Sequence, residues 1–162
     1  MTSGAAKSLT RSEEWDAWIK SADEVIRVVG GAARAKANAT DIVYEALRAG
    51  LEPELVFALV EVSSRFDEHA VSRRGGVGLL VLSRQVHERF GNKVNTLFMG
   101  KYNLRLGCAV LRHYVDIESG NVGRALQRFF EEASLGGAGA DEFTRTYEAR
   151  RAQLQPSNPL PR

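Results

Sequence analysis

An all-α fold in a single domain is what the sequence predicts, and three observations carry that expectation. Apolar residues recur at three- and four-residue spacing along most of the chain. Each such stretch is opened by a cap or closed by a stop of the kind helices use. No stretch alternates apolar and polar residues as a half-buried strand would, and no internal repeat is present. A length of 162 residues suits one continuous core.

The first eleven residues are small and polar and are expected to be disordered. From about Ser12 onward, Trp15, Trp18, Ile19, Ala22, Ile26 and Val29 trace one helical stripe, which Gly30-Gly31 stops. A second helix is expected over 32–49, with Ile42, Val43, Ala46 and Leu47 inward and Gly50 just past its end. The third opens at Glu52-Pro53, where proline fits the first turn, and carries Leu55, Val56, Leu59, Val60 and Ser63 on one stripe. A loop of glycine and arginine follows, Ser72-Arg73-Arg74-Gly75-Gly76-Val77-Gly78. A short helix is expected over 83–90 and another from about Asn103 to Glu118. Asn121 then caps a helix reaching Glu132. The run Leu135-Gly136-Gly137-Ala138-Gly139 reads as a flexible break, after which Asp141 caps a last helix bearing Phe143 and Tyr147. The proline-rich end, 155–162, cannot continue it, so the domain is expected over 12–154 with a loose tail.

Composition narrows the function classes only a little. Hydrophobic content of 44% and charged content of 26% are those of an ordinary globular protein. The net charge of +2, scattered over many arginines rather than gathered in a run, suits loose association with anionic polymers such as cell wall or nucleic acid and selects neither; no nucleic-acid partner is expected. No stretch approaches the ~20 apolar residues of a membrane span. The start lacks the apolar core of a secretory signal, which leaves a cytoplasmic chain and one whose leader has been removed both open. Cys108, the single cysteine, can form no internal disulfide and is expected to be a small buried thiol. His69, His87 and His113 share no metal-ligand spacing, so neither a metal nor a cofactor is expected.

The informative segment is 51–81, LEPELVFALVEVSSRFDEHAVSRRGGVGLLV. Ser64, Phe66, Ala70-Val71-Ser72, Gly75 and Gly78-Leu79 resemble the signature of the lytic transglycosylases, the lysozyme-like domains that cleave peptidoglycan. Downstream, Asn103-Leu104-Arg105-Leu106-Gly107 is similar to that family's Asn-x-x-x-Gly helix start. Ala125-Leu126 precede an aromatic as in its Ala-Leu-x-x-Tyr-Asn motif, and Thr144-Arg145-Thr146-Tyr147 is similar to its late Thr-x-x-Tyr. The resemblance implies a single lysozyme-like helical domain in the periplasm. Its implied partner is peptidoglycan glycan or a cell-wall-associated protein.

Glycosidic cleavage needs a carboxylic acid that protonates the leaving oxygen, with its pKa raised by a partly apolar setting. The resemblance seats that glutamate immediately before Ser64, and the residue there is Ser63. A serine hydroxyl is far too weak an acid for the task. Glu61 stands two residues back, about 200° around a helix, and should face away. Glu68, Glu131 and Glu132 are the candidate substitute acids. The family's Gln is replaced by Val81, and its Tyr-Asn pair by Phe129-Phe130. Ser64, Ser72, Gly78, Val81, Phe129, Phe130 and Tyr147 remain as candidate groove residues. Three readings stay open: an inactive domain that binds glycan or docks on a cell-wall or secretion partner, an active enzyme with a relocated acid, and a structural helical protein whose cleft has closed.

Overall fold

The computed structural model describes residues 11–90, 99–132 and 136–154. Seven helices form there: α1 (Arg11–Gly30), α2 (Ala32–Arg48), α3 (Pro53–Ser64), α4 (Arg84–Phe90), α5 (Gly100–Ile117), α6 (Val122–Glu132) and α7 (Gly136–Leu154). Among the described residues no strand forms, and two isolated backbone bridges, Val71 with Val77 and Val77 with Leu82, pin the glycine loop. The architecture is the expected all-α one. Residues 1–10 and 155–162, expected to be loose, fall outside the described residues.

Helix α3 is the axis. Its first eight residues, from Pro53 to Val60, are all buried, as a helix apolar nearly all round must be. Helix α1 lies along α2, α7 along α3 and α6 along α5, while α2 touches both α3 and α5. Aromatic rings link the layers: Trp18 of α1 meets Phe57 of α3 edge-on at 5.9 Å, and Phe57 meets Phe66 at 5.0 Å. The one carboxylate on this buried stretch, Glu54, accepts a hydrogen bond from the Trp18 indole at 3.2 Å, which answers its polar oxygen inside the core.

Several starts and stops follow the sequence signals. Pro53 opens α3, Ser83 Oγ accepts from the Val86 amide ahead of α4, and Asn121 Oδ1 accepts from the Arg124 amide ahead of α6. Two do not. Helix α5 begins at Gly100, three residues before the expected Asn103, and the Asn103 side chain reaches into the glycine loop. Helix α7 begins at Gly136, so Gly136 to Gly139 are helical rather than a break, and Asp141 lies inside the helix rather than at its cap. Glycine lowers helix propensity by about 1 kcal/mol per residue. Packing of Ala140, Phe143 and Tyr147 against the core outweighs it.

Glycine 107 is demanded by a close approach. A methyl group there would overlap Leu80 Cδ1 and lie 3.2 Å from Leu80 Cβ, and Leu80 is itself buried at 2% exposure. Gly107→Ala is expected to cost about 1–2 kcal/mol, as overpacking outweighs the gain in helix propensity. Chemical denaturation of the two proteins checks it, and an unchanged or raised midpoint would contradict the packing described.

Candidate functional site

The last turn of α3 delivers Ser63 and Ser64 to one end of the core. Ser64 Oγ donates to the Val60 carbonyl at 3.1 Å, a bond internal to the helix. Ser63 Oγ is shut off from solvent and has no hydrogen-bond partner among the described residues. Arg65 then adopts the left-handed conformation (φ 51°, ψ 40°) and Phe66 follows at φ 64°. Glycine is the usual residue at such a helix exit. Here burial of the Phe66 ring, 0% exposed, holds the strained turn in place.

The glycine loop is tied by its own backbone. Ser72 and Gly76 exchange two bonds: the Ser72 amide donates to the Gly76 carbonyl at 2.7 Å, and the Gly76 amide donates to Ser72 Oγ at 2.9 Å. Gly78 sits at φ 87° with its amide on the Ala70 carbonyl. Gly76 has no room for a side chain, since the Val81 carbonyl fills the place its Cβ would take. Val81 itself is 1% exposed and held at φ 43°, rare for a β-branched residue. Asn103 of α5 fastens the loop from beneath. Its Oδ1 accepts from the Leu80 amide at 2.8 Å, and its Nδ2 donates to the Val77 carbonyl at 2.9 Å.

The remaining candidates divide between core and surface. Phe129 and Phe130 are 1% and 4% exposed; they meet edge-on at 6.4 Å, and Phe130 packs on Phe143 at 5.5 Å. Glu61 turns to α7, where Arg150 binds it through Nε at 2.8 Å and Nη2 at 3.0 Å, a forked, charge-assisted pair. Glu68 is exposed and lies over the start of α5, its Oε2 3.1 Å from where a Gly100 Cβ would sit, a favourable position beside a helix N-terminus. Glu131 is exposed on the rim of a 440 Å³ groove between α6 and α7. Glu132 ends α6, and its side chain lies outside the described residues.

Tyr147 is placed at the opposite end of α3. Its hydroxyl donates to the Glu52 carboxylate at 3.0 Å, and its ring stacks on Phe143 at 5.7 Å. Eleven residues of helix rise separate Glu52 from Ser63, about 16 Å. Tyr147 therefore belongs to a second groove of about 600 Å³, floored by Leu51, Leu55 and Val115. Burial, then the charge of Glu52 and the bond to it, push the Tyr147 phenol up to about 12.

The family model described as the Transglycosylase SLT domain matches residues 42–127, just over half of the chain. The chain belongs to this family. No individual curated protein matches it. The SLT match runs from the middle of α2 into α6 and takes in Ser63, the glycine loop, Asn103 and Gly107, while Phe129, Phe130 and Tyr147 lie beyond it. Lytic transglycosylase-like, peptidoglycan-related chemistry is the family's character. Among the described residues no helix is long and apolar enough to cross a membrane.

The roles of two residues of this SLT domain escape a reading of the sequence alone. Asn103 looks like a helix start and is a loop anchor; its 0% exposure gave no local signal. Glu45 is 1% exposed, and its Oε1 has no partner among the described residues. The available signal was an acid three residues after Ile42 on an otherwise apolar stripe.

Two expectations follow. Asn103→Ala removes two buried hydrogen bonds and strands the Leu80 amide and Val77 carbonyl, so it should cost about 2–4 kcal/mol; urea denaturation measures it, and a loss under 1 kcal/mol (about one ordinary hydrogen bond) would argue against the anchor. Because the folded chain holds the Tyr147 proton beyond the ordinary tyrosine range, stability from this group is full below pH ~10 and falls as pH rises toward 12. Tyr147→Phe should flatten that alkaline decline in a pH series of thermal melts.

Proposed function

We propose that this chain is a catalytically inactive lytic transglycosylase-like protein that holds peptidoglycan glycan or docks on a cell-wall or secretion partner, working in the periplasm. The observation that carries this reading is Ser63: in the last turn of α3, at the position that the resemblance gives to the family's acid, stands a buried hydroxyl with no partner among the described residues. It can neither donate a proton to a glycosidic oxygen nor be activated by a neighbouring base. The nearest carboxylate in sequence, Glu61, is committed to Arg150. Glu68 and Glu131 are exposed and lack the apolar setting that an acid catalyst of this kind requires, which speaks against a relocated acid.

A second reading has specific support. The buried Ser63 Oγ, together with Val81, Phe129 and Phe130 at 4% exposure or less, fits a cleft that has closed around apolar side chains. On that reading the domain acts as a structural or docking body and not as a glycan holder.

Incubation of the wild-type protein with insoluble peptidoglycan tests both. No anhydro-muropeptides are expected by mass spectrometry, and their release would overturn the inactive reading. Co-sedimentation with the polymer supports glycan holding; its absence, with a protein recovered by pull-down, supports docking. Ser63→Glu is expected to restore little or no cleavage, because the Gln, Tyr and Asn equivalents are also missing.

A further inference from the structure

Helices α2 and α5 enclose a feature that the reading above does not use. Glu45 of α2 faces Cys108 of α5, and its charge adds to the burial that raises the Cys108 thiol. Glu45 is 1% exposed, and its Oε1 meets no hydrogen-bond donor among the described residues. A buried carboxylate oxygen without a donor is costly to keep. Glu45 is among the residues that border an open cavity of about 460 Å³, which takes no residue from α3 and so stands apart from Ser63. That volume lies within the range of small-molecule sites.

The walls are basic. Arg48, Arg105, Arg112 and His113 border the cavity with Asp116 as the second acid. Asp116 is already taken by Arg112, whose Nη2 lies 2.6 Å from Oδ1. Arg48 and Arg105 are exposed at the mouth and make no ion pair among the described residues. The site therefore has a buried carboxylate at its floor and, among the described residues, two unpaired cations at its opening.

This polarity selects a ligand class. A metal ion or simple amine would meet Glu45 but be repelled by the arginines, and a polyanion would meet the arginines but be repelled by Glu45. A molecule carrying both signs a few bonds apart satisfies both. We propose that the α2–α5 cavity binds a small zwitterion of the α-amino acid class, its ammonium on Glu45 and its carboxylate on Arg48 and Arg105.

Titration of the full chain with glycine, L-alanine, D-alanine and L-lysine, followed by NMR shifts of α2 and α5, tests this, with ethylamine and acetate as half-ligand controls. Saturable binding is expected for at least one amino acid, at least about tenfold tighter than either control. Glu45→Gln and Arg105→Ala should each weaken it by about tenfold or more. Arg105 is exposed, so its variant remains informative should the Glu45 variant fold poorly. Absence of binding by every amino acid, binding of acetate or ethylamine as tight as theirs, or wild-type affinity in the Arg105 variant would each overturn the proposal.

Discussion

The first eight residues of α3 have no face turned to water, and the other helices are placed by that constraint. A helix so buried must be enclosed on every side, and its flanking charges must find donors from whatever encloses it. Glu52 is met by Tyr147 from α7, Glu54 by Trp18 from α1 and Glu61 by Arg150 from α7. Apolar packing alone would tolerate some sliding of one helix on another. These directional bonds, spread from the entrance of α3 to its exit, set its neighbours at one level.

The end of α3 and the loop beyond it are held by different means. No bond from Ser63 maintains the loop. Its shape comes from Gly76 and Gly78, from the Ser72 clasp, and from Asn103 and Gly107 on α5. The supports are backbone groups and side chains other than those of Ser63 and Val81. The SLT fold is thus kept with a serine at residue 63, whose hydroxyl makes no hydrogen bond among the described residues. The positive φ at Arg65, Phe66 and Val81 agrees with this: the backbone path is imposed by its surroundings rather than chosen by those residues.

What was legible in the sequence was local. Gly30-Gly31, Pro53, Ser83 and Asn121 mark helix limits through their own backbone preferences, and the structure places limits there. The start of α7 was hidden because its glycines signal a break, whereas the stabilisation comes from Phe143 and Tyr147 against distant helices. The ordered motifs from Ser64 to Gly107 disclosed the family but not the work done by each residue. Asn103 bonds backbone 23 and 26 residues away, and Tyr147 reaches across 95. No periodicity records such pairings. Glu45 was obscured in the opposite way, as one charge on a helix that carries several.

Cys108 is 2% exposed, and its thiol is raised to about 12 by burial and by Glu45. At neutral pH such a thiol stays protonated, and only the ionised form attacks oxidants, disulfides or electrophiles at an appreciable rate. The folded domain is thus chemically mute at its one sulfhydryl. It would neither crosslink to a second copy in an oxidising compartment nor respond to the redox poise of a reducing one.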